Sequence, residues 1–310
     1  NVSTNIRMSV VKLENGGLWV HAPVAPTGEC KQLLSELGGE VEHIVLPTTA
    51  LEHKIFVGPF SKAFPSAKVW CTPGQWSFPI NLPLNFKVDG FLDGQLTPWS
   101  NEIEYELFEP PVVGVGPANE VAFFHKATRS LFLTDLAIRI DPDPPTIIPD
   151  KVLAEAAVEE NETAPEEVTQ AVKRKGWAKS ALQILFFGPV KPETFDLVSR
   201  RLFVAPVTRI LVLGRVTEAV VEWVDRVTKW NFQQVIPCHF TAPIKASPSD
   251  LQEAFLFAYE KSGRKPSLLT SGLLSNIWGR DKTPLEFPEE ALSVIRTVDD
   301  AAQQNGLVAK

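Results

Sequence analysis

Only three cysteines occur in the 310 residues, Cys30, Cys71 and Cys238, and no two of them form a CxxC pair. That spacing excludes a disulfide framework and a structural zinc knuckle, and it fits a reducing compartment. Long apolar runs are also missing. ALQILFFGPV (Ala181 to Val190) is among the longest, yet it ends at Gly-Pro, well short of the roughly 18 residues a membrane-spanning helix needs. A basic excess is absent too: the net charge is −7. A nucleic-acid binder would show a basic stripe, so no such partner is expected. Nucleotide and hydrolase fingerprints are wanting as well. GVGPAN (Gly114 to Asn119) lacks the third glycine of a dinucleotide loop and precedes a strand, and neither a GxxxxGKS/T loop nor a GxSxG elbow occurs.

What is present reads as an ordinary globular chain, 44% hydrophobic and 22% charged. The first 135 residues are mainly strands. Ile6 to Leu13 and Leu18 to Pro23 form a hairpin around Asn15-Gly16-Gly17, a helix spans Lys31 to Gly38, and HIVL (His43 to Leu46) and AKVWC (Ala67 to Cys71) are buried strands. Between them, His53 to Pro65 predicts a helix interrupted near Gly58-Pro59. NEIEYELFE (Asn101 to Glu109) alternates polar and apolar residues, and EVAFFH and SLFLTD form a second hairpin. From Asp141 to Glu167 the chain is proline-rich and acidic, with nine acidic residues against one lysine, and reads as a solvated surface excursion. Beyond it, helices and strands alternate: Pro192 to Phe203 reads as helix, Arg209 to Leu213 as strand, Thr217 to Trp230 as amphipathic helix and Gln233 to Phe240 as strand. Ser247 then caps a helix that begins at Pro248.

Three apolar runs end at a potential ligand. HIVLP leads to Glu52-His53, SLFLT to Asp135, and QQVIPC to His239. Strand ends along one sheet edge converge in space. Two imidazoles with two carboxylates suit one zinc or iron ion, because both metals accept nitrogen and oxygen ligands. His21, His43 and His125 have no evident partners and read as structural.

The loop after HIVLP, the run AFPSAKVWCTP, the hairpin VAFFHKATRSLFLTD and the segment VIPCHF resemble the metallo-β-lactamase superfamily. LEHK, PGQWSFPINLPL and PCHFTAPI with SPSDLQEAF resemble, more narrowly, its DUF4336 branch of plants, algae and cyanobacteria. The resemblance implies an α/β fold, a metallo-β-lactamase-like αββα sandwich. It implies a single domain over 1–310 with two pseudo-halves, about 1–140 and 176–310, joined by the insertion 141–175. It implies a plastid location. Laid on the superfamily's HxHxDH motif, the first two histidines fall on Thr48 and Ala50, the aspartate on Glu52 and the last histidine on His53. A further histidine falls near Gly116 and is absent, while Asp135 and His239 match the bridging aspartate and the last histidine.

Two expectations follow. The first is a chain that has lost the dinuclear site and acts, without a cofactor, as a structural or regulatory module, a subunit of a plastid assembly with protein partners. Trp76, Trp99, Trp177, Trp223 and Trp230, with the acidic stretch Glu155 to Glu167, are its candidate contacts. The second is a mononuclear metal-dependent hydrolase using Glu52, His53, Asp135 and His239, with Lys54 or Gln75 to Phe78 positioning substrate.

Overall fold

The computed structural model describes residues 2–76, 83–114, 116–159, 163–165, 167–269 and 284–308. Its first sheet has the order β1 (Ser9–Lys12), β2 (Leu18–His21), β3 (Val41–Leu46), β4 (Lys68–Cys71) and β5 (Gly90–Phe91). β1 and β2 are an antiparallel hairpin, and β2 to β5 run parallel. The second sheet holds β6 (Ile103–Phe108), β7 (Glu120–His125), β8 (Ser130–Phe132), β9 (Gln234–Ile236) and β10 (Ile244–Lys245), with β8 and β9 parallel and the other pairs antiparallel. The helices are α1 (Gly28–Glu36), α2 (Leu51–Lys54), α3 (Val57–Ala63), α4 (Asp150–Ala157), α5 (Gln170–Phe186), α6 (Glu193–Val198), α7 (Pro206–Leu211), α8 (Thr217–Val227), α9 (Pro248–Ala254), α10 (Leu256–Ser262) and α11 (Glu289–Gln304).

Side-chain alternation along the strands builds the layers. Trp19, Val45, Phe123 and Phe132 point between the sheets, where Trp19 meets Trp99 and Phe123 edge-on. Their neighbours Leu18, Val20, Ile44 and Leu46 face outward onto Leu34, Val57 and Phe60 of α1 and α3. On the other sheet Ala122, Phe124, Leu131 and Leu133 face Val220, Trp223, Val224 and Phe255 of α8 and the turn between α9 and α10. The result is helix, sheet, sheet, helix: the expected αββα sandwich. A further apolar cluster, with Trp177, Phe186, Phe195 and Ile295, joins α5, α6 and α11.

Several local expectations are corrected. Arg209 to Leu213 is not a strand: Pro206 presets the first helical turn, and Arg209 N donates to Ala205 O within α7. The interruption before Pro65 falls at Ile55-Phe56, not at Gly58-Pro59. Pro59 sits in the first turn of α3, where no intrahelical N–H is required. The helix expected to run to Phe203 stops at Val198, because Ser199 and Phe203 bridge to Ile140 and Ile138 instead. The acidic stretch is not a solvated excursion throughout. α4 buries Leu153, Ala154, Ala156 and Ala157, and Gly176 of α5 lies so close that an added Cβ would collide with the Leu153 carbonyl. Residues 160–162 and 166 of that stretch lie outside the described residues.

Candidate metal centre

Strand register brings the candidate ligands to one edge. β7 and β8 pair Phe123 with Phe132, so continuing that antiparallel register sets Glu120 opposite Asp135. β8 and β9 pair Ser130 with Gln234, and the same parallel offset sets Asp135 beside His239. The loop after β3 is stitched to this edge by a bridge between Thr48 and Glu120, and by Val121 N donating to Pro47 O at 2.7 Å. Pro47 ends β3, and α2 then presents Glu52 and His53.

Ligand atoms of Glu52, His53, Asp135 and His239 all lie within 4.8 Å of one another. The four residues the sequence singled out are thus brought together. His53 Nε2 is 3.3 Å from Asp135 Oδ2, and His239 Nε2 is 3.3 Å from Asp135 Oδ1. Tetrahedral ligands about 2.0–2.1 Å from a zinc ion would be about 3.4 Å apart, close to these separations. His53 is buried, Asp135 and His239 are partly buried, and Glu52 is exposed on the solvent side.

The nitrogens tell more than the distances. His239 Nδ1 lies 3.0 Å from the Asn5 carbonyl, which can only accept, so Nδ1 carries the proton. In the neutral ring Nε2 is then a lone pair aimed at a carboxylate. Both ring nitrogens of His53 are buried without a hydrogen-bond partner, since the Asp135 contact at 3.3 Å is close in charge but not aligned as a hydrogen bond. A proton or a cation between nitrogen and carboxylate would satisfy His53 Nε2. Burial works against a charged His53, but Asp135, Glu52 and Glu120 outweigh it and hold its pKa above the ordinary histidine value. Burial likewise opposes ionisation of Asp135, yet the two histidines keep its pKa below the usual aspartate value.

Each ligand has its own support. Asn5 Oδ1 and Nδ2 bond the Phe240 N–H and carbonyl, and Arg7 donates to the carbonyls of Pro237 and Phe240, so the segment Asn5 to Arg7 straps down the His239 loop. Ile6 adds a strand-like bridge to His239 itself. Below the site His21 is fully buried, stacked on Trp19, and driven by burial to a pKa of about 3, so it is neutral. The structural readings of His43 and His125 agree with their surroundings: His43 packs on Trp99, and His125 pairs with Thr128 at 2.7 Å.

The family described as "Domain of unknown function (DUF4336)" matches residues 1–200 and 191–257. The chain belongs to this family. No curated protein matches it. Solved structures similar to this DUF4336 chain include the Flv1 flavodiiron core from Synechocystis sp. PCC6803, at 11% identity and TM-score 0.43, covering 83% of this chain and 53% of that one. The chain therefore spans about half the length of that structure. The DIM-1 metallo-β-lactamase is similar at 15% identity and TM-score 0.38, covering 84% of this chain and 88% of that one.

Sequence reasoning missed one residue of this DUF4336 site. Glu120 is buried at the head of β7, and its carboxylate accepts from Thr134 N at 2.7 Å and from Asp135 N at 3.2 Å. It holds the turn that aims Asp135. Burial and the Asp135 charge push its pKa up to about 7, against those two N–H groups. The available signal was a lone charge at the head of the apolar run VAFF. Two proposed substrate positioners have other duties: Lys54 is buried and donates to the Trp76 carbonyl, and Gln75 donates to the carbonyls of Thr48 and Thr72. Ser77 and Phe78 lie outside the described residues. Trp99, Trp177 and Trp223 are buried in the core and offer no partner surface.

Proposed function

We propose that the chain binds one zinc or iron(II) ion through Glu52, His53, Asp135 and His239, and that this centre serves hydrolysis of an ester, thioester or amide. The observation that carries the reading is a single carboxylate, Asp135, bracketed at 3.3 Å by two imidazole nitrogens, one of them fixed as an acceptor by Asn5. The donor set fits: two nitrogens and two carboxylates suit both metals. When bound, such an ion supplies Lewis acidity, polarising a substrate oxygen and activating water.

The chain's own residues set the rest. His53 is held from below by the buried core, and His239 from outside by the strap, so both nitrogens are aimed before any ligand arrives. Glu120 keeps the Asp135 turn in register. Glu52, exposed and carried on the first turn of α2, completes the set from the solvent side.

A dinuclear site is not part of this reading. Thr48 and Ala50 stand where the superfamily motif has histidines, and Thr48 Oγ1 accepts from Ala50 N at 3.2 Å, a structural turn in place of a ligand pair. The same turn would suit a non-catalytic module of a larger plastid assembly, which needs no metal. Elemental mass spectrometry of protein purified without chelators separates the two. About one ion per chain, lost in the His53→Ala, His239→Ala double variant, is the expected result. No stoichiometric metal after reconstitution would overturn the metal centre and leave the module.

A further inference from the structure

Beside the metal centre, and built from different side chains, lies an open cleft of about 770 Å³. Four arginines line it, Arg7, Arg139, Arg174 and Arg200, against two aspartates, Asp141 and Asp143. This is an excess of two positive charges in a chain whose net charge is −7. The local sign is opposite to the global one.

The aspartates are committed to two of the arginines. Arg139 contacts Asp141 at 2.9 Å, and Arg174 contacts Asp143 at 2.7 Å. Arg7 and Arg200 are left over. Arg7 is half-buried and donates only to the neutral carbonyls of Pro237 and Phe240, so its charge has no carboxylate partner among the described residues. Desolvation accordingly holds its pKa below the usual arginine value, with only a minor opposing contribution from Cys238. Arg200 is exposed, and its guanidinium makes no hydrogen bond or ion pair among the described residues; its charge reaches Asp143, which Arg174 already holds. Its backbone is in the left-handed region at φ 63° and is tied by its own N–H to Ile140 O at 2.7 Å, which fixes where the side chain starts. Four guanidinium groups share two carboxylates in one concavity, and the excess of two positive charges suits a ligand that brings negative charge.

We infer that this cleft binds a small organic phosphate, whose phosphoryl group neutralises Arg7 and Arg200. A phosphomonoester carries about −1.5 to −2 charges at neutral pH, matching two guanidinium groups, and its oxygens suit their planar forks better than a single carboxylate does. Ligand pockets run to about 300–1,000 Å³, so the cleft has room for an organic group beyond the phosphate. Ile6, Pro142, Ile147 and Phe240 provide apolar wall for it. A polyanion such as RNA is disfavoured, because the acidic remainder of the surface repels an extended backbone, whereas a small ligand feels the field within a Debye length of about 8 Å. The inference does not rest on the metal reading.

Isothermal titration calorimetry on the full chain tests it, after chelator treatment, with phenyl phosphate, inorganic phosphate and phenylacetate as probes. Phenyl phosphate is expected to bind saturably and at least tenfold more tightly than the other two. Arg200→Ala, which removes an exposed side chain that makes no hydrogen bond or ion pair among the described residues, is expected to weaken it about tenfold or more. Arg7→Ala should weaken it further, but that variant also loosens the His239 loop, so Arg200→Ala is decisive. Absence of saturable phenyl phosphate binding, or binding unchanged in Arg200→Ala, overturns the proposal. Phenylacetate binding equally well would refute the phosphoryl preference, and inorganic phosphate binding equally well would refute the organic part. Binding seen only in metal-loaded protein would move the anion to the four-residue cluster and also defeat the cleft assignment.

Discussion

A carboxylate facing two imidazoles changes its proton inventory when the chain unfolds, and the direction can be worked out. In the metal-free protein the folded pKa of His53 lies above the ordinary 6.5, since its acidic neighbours outweigh burial. The folded chain then holds a proton that the unfolded chain releases. The stabilisation is full below about pH 6.5 and is lost as pH rises through the folded value. Glu120, raised by burial from 4.5 to about 7, acts with the same sign between those values. His21, His43 and His125, held below the ordinary histidine value by burial, act with the opposite sign below about pH 6.5. The urea midpoint of chelated protein, taken relative to that of His53→Gln, should therefore fall as pH rises above about 6.5. A relative midpoint rising there would contradict the assignment. Metal affinity should move the opposite way, strengthening with pH as His53 gives up its proton. At this scale the four clustered residues were legible because each follows an apolar run. Glu120 was not, because a glutamate before VAFF looks like any strand-end charge until the register sets it opposite Asp135.

Among the elements, hairpins and alternating strands were legible because a period of two and an Asn-Gly turn are local signals. α7 was misread because RILVL is rich in β-branched and aliphatic residues, and only Pro206 and the helical neighbours decide its state. α4 was misread for the opposite reason: its acidic residues hide an alanine-rich face that matters only once α5 lies against it. That contact makes a sharp prediction. Gly176→Ala should destabilise the chain by about 1–3 kcal/mol through overpacking, read from chemical denaturation, although alanine is the better helix former. A neutral or stabilising result would mean that α4 and α5 are further apart than described. Gly263, whose φ of 71° ends α10 in the left-handed region with open space around it, is the contrasting case in which backbone and not packing sets the residue.

For the whole molecule, the layered sandwich was readable mainly through resemblance, since two packed sheets leave few marks in one sequence beyond buried strands. The extra helical cluster of α5, α6 and α11 was not foreseen, because its apolar residues come from segments far apart in the chain. Metal binding, if it occurs as proposed, is a stability effect on all of this. At a free-ion concentration a hundred times Kd it adds about 2.7 kcal/mol, so chelation should lower the melting temperature, and the double variant should melt at the same temperature with or without chelator. A melting temperature unmoved by chelator in protein shown to contain metal would place that ion elsewhere.

The strap from Asn5 to Arg7 also sets an order of events. Asn5 contacts Phe240 across 235 residues of chain, and its carbonyl decides which nitrogen His239 presents. On a ribosome, the early segment must therefore wait while the rest of both sheets is synthesised before His239 can be aimed. Contacts this distant in sequence form slowly. Aiming of His239 is thus a closing step, and a chain interrupted before His239 would carry three of the four clustered residues with nothing to hold the strap.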